Sequence, residues 1–131
     1  MDNSISKSMA AASSGMNVQS FRLRIASENL SNTDTHGYHR KQVNFATEMD
    51  RVNDMARVTI GDVSLDNSEG AQIFDPASPL ADENGMVMSS NVDMMVELAD
   101  AREAGRSYEA NLSTFRQATQ MYRSLIDLLR N

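Results

Sequence analysis

Apolar and small residues near the start of the chain fall at Ile5, Met9, Ala12, Met16, Leu23, Ala26 and Leu30. The steps alternate between four and three, with one step of seven across Gln19, which is the spacing of a helix with a heptad seam. Asn3 or Ser4 stands where an N-cap would. Ser13, Ser14 and Gly15 weaken this helix in isolation, since a glycine in a helix interior costs roughly 1 kcal/mol relative to alanine. A more regular row occupies the end of the chain: Met94, Leu98, Ala101, Gly105, Tyr108, Leu112, Phe115, Thr119, Tyr122, Ile126 and Leu129. Ala118, Met121, Leu125 and Leu128 widen that stripe, and Asn91 or Asp93 can cap its start. At the usual rise, a helix from Val92 to Leu129 runs on the order of 57 Å. A compact domain of this size has a radius of gyration of only about 14 Å. The second helix must therefore protrude or pack along something extended.

Between the two rows the period falls to two. The runs "QVNF", "RVTIGDVSL" and "AQIF" alternate apolar and polar residues, punctuated by Gly61, Asn67 and Gly70. This predicts short strands, with a turn at Gly61-Asp62 separating Val58 and Ile60 from Val63 and Leu65. A hairpin and a single extended arm both satisfy the pattern. Pro76 and Pro79, the two prolines of the chain, bar helix from "FDPASPLADENG". The fold class is mainly α: long N- and C-terminal helices pairing as a coiled coil, with a short extended or β-hairpin central segment. The parts are 1–32, 33–91 and 92–131.

Composition adds one constraint. The chain has 131 residues, ten of them Met, with no Trp and only 5% aromatics. So few rigid side chains make a lean core, and Met packs without specifying one arrangement. The stripes fit an intramolecular helical hairpin, and they also fit a seam completed by other chains. Small residues at Ala101 and Gly105 and the helix length favour the second. The net charge of −6 and the acidic middle argue against nucleic-acid binding. The chain has no cysteine. The N-terminal residues lack the continuous apolar stretch of a cleaved signal peptide, so export would use another route.

Catalytic chemistry finds no foothold. His36 and His39 are the only histidines, with Asp34 the nearest carboxylate, and a metal would need further ligands. No nucleophile elbow and no glycine-rich phosphate loop is present. Neither a cofactor nor a small-molecule substrate is expected.

The sharpest local signal is the way the first helix stops. In "ENLSNTDTHGYHRKQ", Asn29 and Asn32 tolerate left-handed backbone and bond local main chain. Gly37 can supply a positive φ. Tyr38 offers a broad apolar face with a polar tip for anchoring, and Arg40 and Lys41 are placed to meet acidic groups.

This stretch resembles the N-terminal motif of the bacterial flagellar axial proteins, the rod and hook family. The motif maps onto Asn29, Leu30, Ser31, Asn32, Thr35, Gly37, Tyr38, Arg40 and Lys41, with His36 where relatives often carry Pro. "FDPASPLADENGMV" and "RSYEAN" are similar to segments of the proximal rod proteins, through Asp75, Pro76, Pro79, Asp82, Gly85, Arg106 and Asn111. Met86 and Ser90 depart from the usual Tyr and Pro. The resemblance implies a non-enzymatic structural subunit of the flagellar basal body, assembled helically into a shaft that carries torque across the periplasm. It implies export through the flagellar type III apparatus without a cleaved signal. The implied partners are other rod proteins, neighbouring copies, and the adaptor at the MS ring and export gate. Packing would rest on Ile5, Met9, Met16, Leu23 and Leu30, and on Leu98, Tyr108, Leu112, Phe115, Tyr122, Ile126 and Leu129. A soluble helical hairpin regulating a cytoplasmic partner is the alternative.

Overall fold

The computed structural model describes residues 2–51 and 54–131, with side chains from Ser4 onward. Six elements follow in order: α1 (Asp2–Ser31), β1 (Lys41–Asp50), β2 (Met55–Leu65), β3 (Gln72–Phe74), β4 (Met86–Met88) and α2 (Met94–Arg130). The helices run antiparallel. Arg22 of α1 reaches Asp100 and Glu103 near the start of α2, Gly15 lies against Asn111, and Ile5 shares a groove with Met121 and Leu125. At 37 residues α2 is about 56 Å long, so the molecule is elongated, as the row of apolar residues predicts. The mainly helical fold is as expected, and of the two forms open to the central segment the structure has the hairpin.

Asp93 caps α2, its carboxylate accepting from the backbone of Met95 at 2.9 Å. Ser4 lies inside α1, one turn too late to cap it, and the side chain of Asn3 lies outside the described part.

The line of closest contact follows the predicted row only in part, at Ala12 and Ala26. Its buried positions are Ala12, Val18, Ile25, Ala26 and Asn29 on α1, and Glu97, Ala104 and Ala118 on α2. Val18, Ile25 and Ala104 stand one position to the side of the predicted seam. The cause is size: small side chains at Ala12, Ala26, Ala104 and Ala118 let the backbones approach, so the larger residues flank the contact. Ile5, Met9, Met16, Leu23, Leu30, Tyr108, Leu112 and Phe115 are half-buried on those flanks. Within the chain, close approach occurs at Ala104; a side chain at Gly105 would meet nothing within 4 Å.

The central segment is a long antiparallel hairpin, β1 with β2, followed by a small sheet of β3 with β4. The expected turn at Gly61-Asp62 is absent. Both residues lie within β2, and the strands join farther along, between Asp50 and Met55. Pairing runs Val43 with Val63 and then Phe45 with Ile60, so Gly61 and Asp62 oppose Asn44 alone. That is a β-bulge, with two residues facing one. Glycine is needed there because a Cβ would sit 2.7 Å from the Asn44 carbonyl oxygen.

Cross-strand partners share a face. Val43, Val63, Phe45, Ile60, Thr47 and Val58 thus form one apolar surface. Its base leans on α1, where Ile60 shares a groove with Phe21 and Arg24, while Phe45, Met49, Val58, Val63 and Leu65 stay exposed. The proline segment forms two successive turns, closed by Ser78 N–H to Asp75 O and Ala81 N–H to Ser78 O, both 3.1 Å. Each places its proline, Pro76 or Pro79, second in the turn, where a φ near −65° is preset. β4 was not anticipated from sequence. Its Val87 is buried.

Candidate functional site

Four segments meet where α1 ends: the residues after its last turn, the start of β1, the loop after β2, and the leader into α2. Asn29 sits at the centre with no exposed surface. Its amide donates to the Lys41 carbonyl at 2.9 Å, and its oxygen accepts from the Lys41 N–H and the Tyr38 hydroxyl, each at 2.9 Å. A buried amide with partners on both ends holds the chain's return path in place. Neither Asn29 nor Asn32 takes a positive φ, contrary to expectation. Asn32 and Thr33 bond the carbonyls of Glu28 and Leu30, whereas Asn29 reaches twelve residues ahead. Gly37 does supply the left-handed residue, at φ +74°.

Tyr38 is half-buried against its own chain. Burial raises its pKa above the ordinary tyrosine value, with Glu28 adding to the rise and Lys41 opposing it. Lys41 pairs with Glu28, and that hydrogen bond raises the Lys41 pKa. The leader into α2 is tied on by main-chain bonds from Gly37 N–H to Met88 O at 3.0 Å and from Asn91 N–H to Tyr38 O at 3.2 Å. The Ser90 hydroxyl donates to the Thr33 carbonyl. Asn91 is a fork: its oxygen accepts from the Arg40 N–H at 2.6 Å, and its amide donates to the carbonyls of Asp66 and Ser68 at 2.8 and 2.9 Å. Asp66 itself accepts from the Ser68 N–H, which lowers its pKa. The His39 Nδ1 donates to the Asp66 carbonyl at 2.9 Å. His36 is exposed.

The Arg40 guanidinium meets Glu97 Oε1 at 2.6 Å and Asp100 Oδ2 at 3.6 Å. Glu97 is 1% exposed. The sequence flagged Arg40 but not its partners. The signal was there, since Glu97, Asp100 and Glu103 recur every third residue along one side of α2.

Other motif residues serve locally. Asp82 accepts from the N–H groups of Asn84 and Met86, and Gly85 N–H donates to the Asp82 carbonyl. Thr35 donates to the Asn32 side chain. Asn111 lies against Gly15, and Arg106 is exposed beside a shallow groove with Met95 and Leu98. The structure therefore gathers Asn29, Gly37, Tyr38 and Arg40 into one junction, while Asp75, Pro76, Pro79, Asp82 and Gly85 shape a separate loop.

Apolar surface is left bare at both ends of α2. Met94, Met95, Val96 and Leu98 are exposed at one end, and Met121, Tyr122, Ile126, Leu128 and Leu129 at the other. Leu128 and Leu129 keep 74% and 78% of their surface. Beside them a groove of about 600 Å³ is lined by Ile5, Met121, Leu125 and Leu128.

The junction and both helices coincide with what known proteins share with this chain. The family described as flagella basal body rod protein matches residues 9–39, and that described as flagellar basal body rod FlgEFG protein C-terminal matches 83–128. A flagellar basal-body rod protein FlgC of Agrobacterium fabrum is 44% identical over 133 aligned positions, covering 96% of each chain. The chain belongs to the flagellar basal-body rod protein family. FlgC proteins of Salmonella typhimurium and Escherichia coli O157:H7 are each 32% identical over 116 positions, covering 84% of this chain and 87% of theirs. As a rod-family member it is a structural component of the basal body. The first match covers α1 from Met9 onward and runs through Gly37 and Tyr38, so the rod signature includes the turn that returns the chain to the junction.

Proposed function

We propose that this rod subunit is finished by its neighbours, building a helical shaft with other axial proteins and with copies of itself. The observation that carries this reading is the bare apolar surface at the two ends of α2, above all Leu128 and Leu129. Exposed apolar patches of this kind mark protein contacts. A head-to-tail contact between unlike faces propagates into an open helical assembly.

In this reading the chain acts in three parts. Residues 1–32 and 92–131 wind with neighbouring helices as a coiled-coil tube, using Ile5, Met9, Met16, Leu23, Leu30, Leu98, Tyr108, Leu112, Phe115, Tyr122, Ile126 and Leu129. Residues 33–91 pack outward, with Asn29, Asn32, Thr35, Gly37, Tyr38, Arg40, Asp75, Pro76, Pro79, Asp82, Gly85, Arg106 and Asn111 holding the shape. The shaft transmits torque across the periplasm. The subunit reaches it through the flagellar type III export apparatus without a cleaved signal and meets the adaptor at the MS ring and export gate. Catalysis has no part in this role.

The test is to isolate basal bodies carrying a tagged chain and image them at side-chain resolution. The expected result places the chain in the rod with Leu128 and Leu129 covered by neighbouring subunits. Recovery of the chain only as a stable soluble monomer or small dimer would sink the reading and favour the regulatory hairpin.

A further inference from the structure

The contact between α1 and α2 repeats every seven residues, so a slide of one heptad is the nearest competing alignment. Its central positions on α2 are Ala104, Asn111, Ala118 and Leu125, and its flanks are Ala101, Tyr108, Phe115 and Tyr122. Both sets recur every seven residues. A slide of one heptad, about 10 Å, keeps an aromatic row at Tyr108, Phe115 and Tyr122, but it exchanges alanine for Asn111 or Leu125 in the central row. The main-chain bonds at the junction do not distinguish the alignments, because every residue but proline offers the same N–H and C=O, whereas the side chains of Ser90 and Asn91 hold the leader of α2 by bonds of their own.

The charged groups distinguish them along the helical seam itself. Arg22 of α1 holds Asp100 Oδ1 at 3.1 Å and Glu103 Oε2 at 3.0 Å. Arg40, one residue before β1, holds Glu97 Oε1 at 2.6 Å and Asp100 Oδ2 at 3.6 Å. Two guanidiniums thus interleave with three carboxylates spaced three residues apart. Slide α2 by one heptad and Ala104, Ser107 and Ala110 take the places of Glu97, Asp100 and Glu103. Slide it the other way and Ser90, Asp93 and Val96 take them. Neither shifted register supplies a partner at the buried Glu97 position.

We propose that this network, centred on the Arg40–Glu97 pair, is a register lock. It selects one alignment of α1 on α2 and so fixes the direction in which the β1–β2 arm, which begins at Lys41, leaves the helices. A buried ion pair adds little net stability over a well-packed apolar pair of similar volume, yet a polar group at a helical seam can specify register. The lock is therefore a matter of specificity.

Cysteine crosslinking can test it, because the chain has no cysteine of its own. A Cβ at Gly15 would lie 2.9 Å from Cγ of Asn111, so Gly15→Cys with Asn111→Cys reports the observed register. Gly15→Cys with Ala104→Cys, or with Ala118→Cys, each carrying Asn111→Ala to make room for the new Cβ, reports a slide of one heptad in either direction. The pairs are oxidised in cells with Arg40 and Glu97 intact, or carrying Arg40→Met with Glu97→Leu. With the ion pair intact, only the Gly15–Asn111 positions crosslink. In the apolar background the shifted pairs crosslink as well and swimming is lost, although the chain accumulates to its normal level. If the Gly15–Asn111 positions remain the sole product in the apolar background, the proposal fails. It fails equally if that background leaves no detectable chain, because the pair would then supply stability and not selection. The crosslinks read the chain's own register and are independent of the rod reading; the swimming assay alone depends on it.

Discussion

Gly15 of α1 lies directly beneath the Asn111 side chain of α2, so closely that an ideal Cβ on Gly15 would fall 2.7 Å from the Asn111 amide nitrogen. The glycine that weakens α1 as an isolated helix is the one that lets the two helices approach. Two opposed effects therefore meet in Gly15→Ala. Alanine gains roughly 1 kcal/mol of helix propensity, and its methyl group displaces Asn111. The substitution alone should come out near neutral, whereas Gly15→Ala with Asn111→Ala should stabilise α1 by most of that propensity gain. Urea unfolding of the single and double variants measures the difference, and strict additivity would show that the two residues are not coupled.

Asn29 predicts a larger effect. Replacing it by Leu strands the Lys41 N–H, the Lys41 carbonyl and the Tyr38 hydroxyl in a buried place, and each such group costs about 1–3 kcal/mol. We expect Asn29→Leu to open the junction while leaving α2 helical. Amide exchange should then show the Lys41 N–H losing protection before the residues around Ala104 do. Unchanged protection at Lys41 would mean that Asn29 does not hold the return path.

Tyr38 supplies a pH dependence. Its folded-state pKa is raised, first by burial. A raised pKa means that the fold favours the protonated hydroxyl. That contribution is fully present below the unfolded value of about 10 and is lost as pH climbs through the folded value. Junction stability should therefore decline in the alkaline range above about pH 10. Tyr38→Phe should remove that decline and cost about 1 kcal/mol at neutral pH. Stability curves for both chains between neutral and strongly alkaline pH are the check, and identical alkaline slopes would contradict the assignment.

The two classes of apolar residue on α2 should respond differently to charge. Leu112 and Phe115 are half-buried within the chain, whereas Leu128 and Leu129 are exposed. Leu112→Asp or Phe115→Asp should reduce the helicity of the purified chain and also block rod assembly, since an unpaired carboxylate at a packed seam costs several kcal/mol. Leu128→Asp with Leu129→Asp should leave circular dichroism unchanged and block assembly all the same. Normal motility in that exposed pair would remove the main support for completion by neighbours.

A related expectation concerns the free subunit. With few aromatics and bare apolar ends, the isolated chain should exchange rapidly at Ser4 to Met9 and at Met121 to Leu129, and slowly around Asn29, Glu97 and Ala104. Uniform protection along both helices in dilute solution would show that the chain is complete alone.

The alternation of four and three was enough to place both helices within two residues of their observed ends, because burial of one helix face imposes that period whatever the partner is. Period two likewise marked β1, β2 and β3, and the prolines marked their turns. The line of closest contact was written that way only in part, at Ala12 and Ala26. It depends on which small side chains, Ala12, Ala26, Ala104 and Ala118, let the backbones meet, and a one-dimensional stripe wider than one row does not say which row is central. Gly61 was visible as an irregularity, but a turn and a bulge draw on the same residue, and only the register of β1 on β2 chose between them. Arg40 and Glu97 stand 57 residues apart, and Asn29 and Lys41 are joined across a loop. Hydrogen bonds and ion pairs leave no period in a sequence, since each needs one donor and one acceptor brought to the same point. The chain alone thus determined its helices, the strands before β4, and its family; which buried polar groups meet, and which apolar faces remain bare, was decided by the tertiary fold.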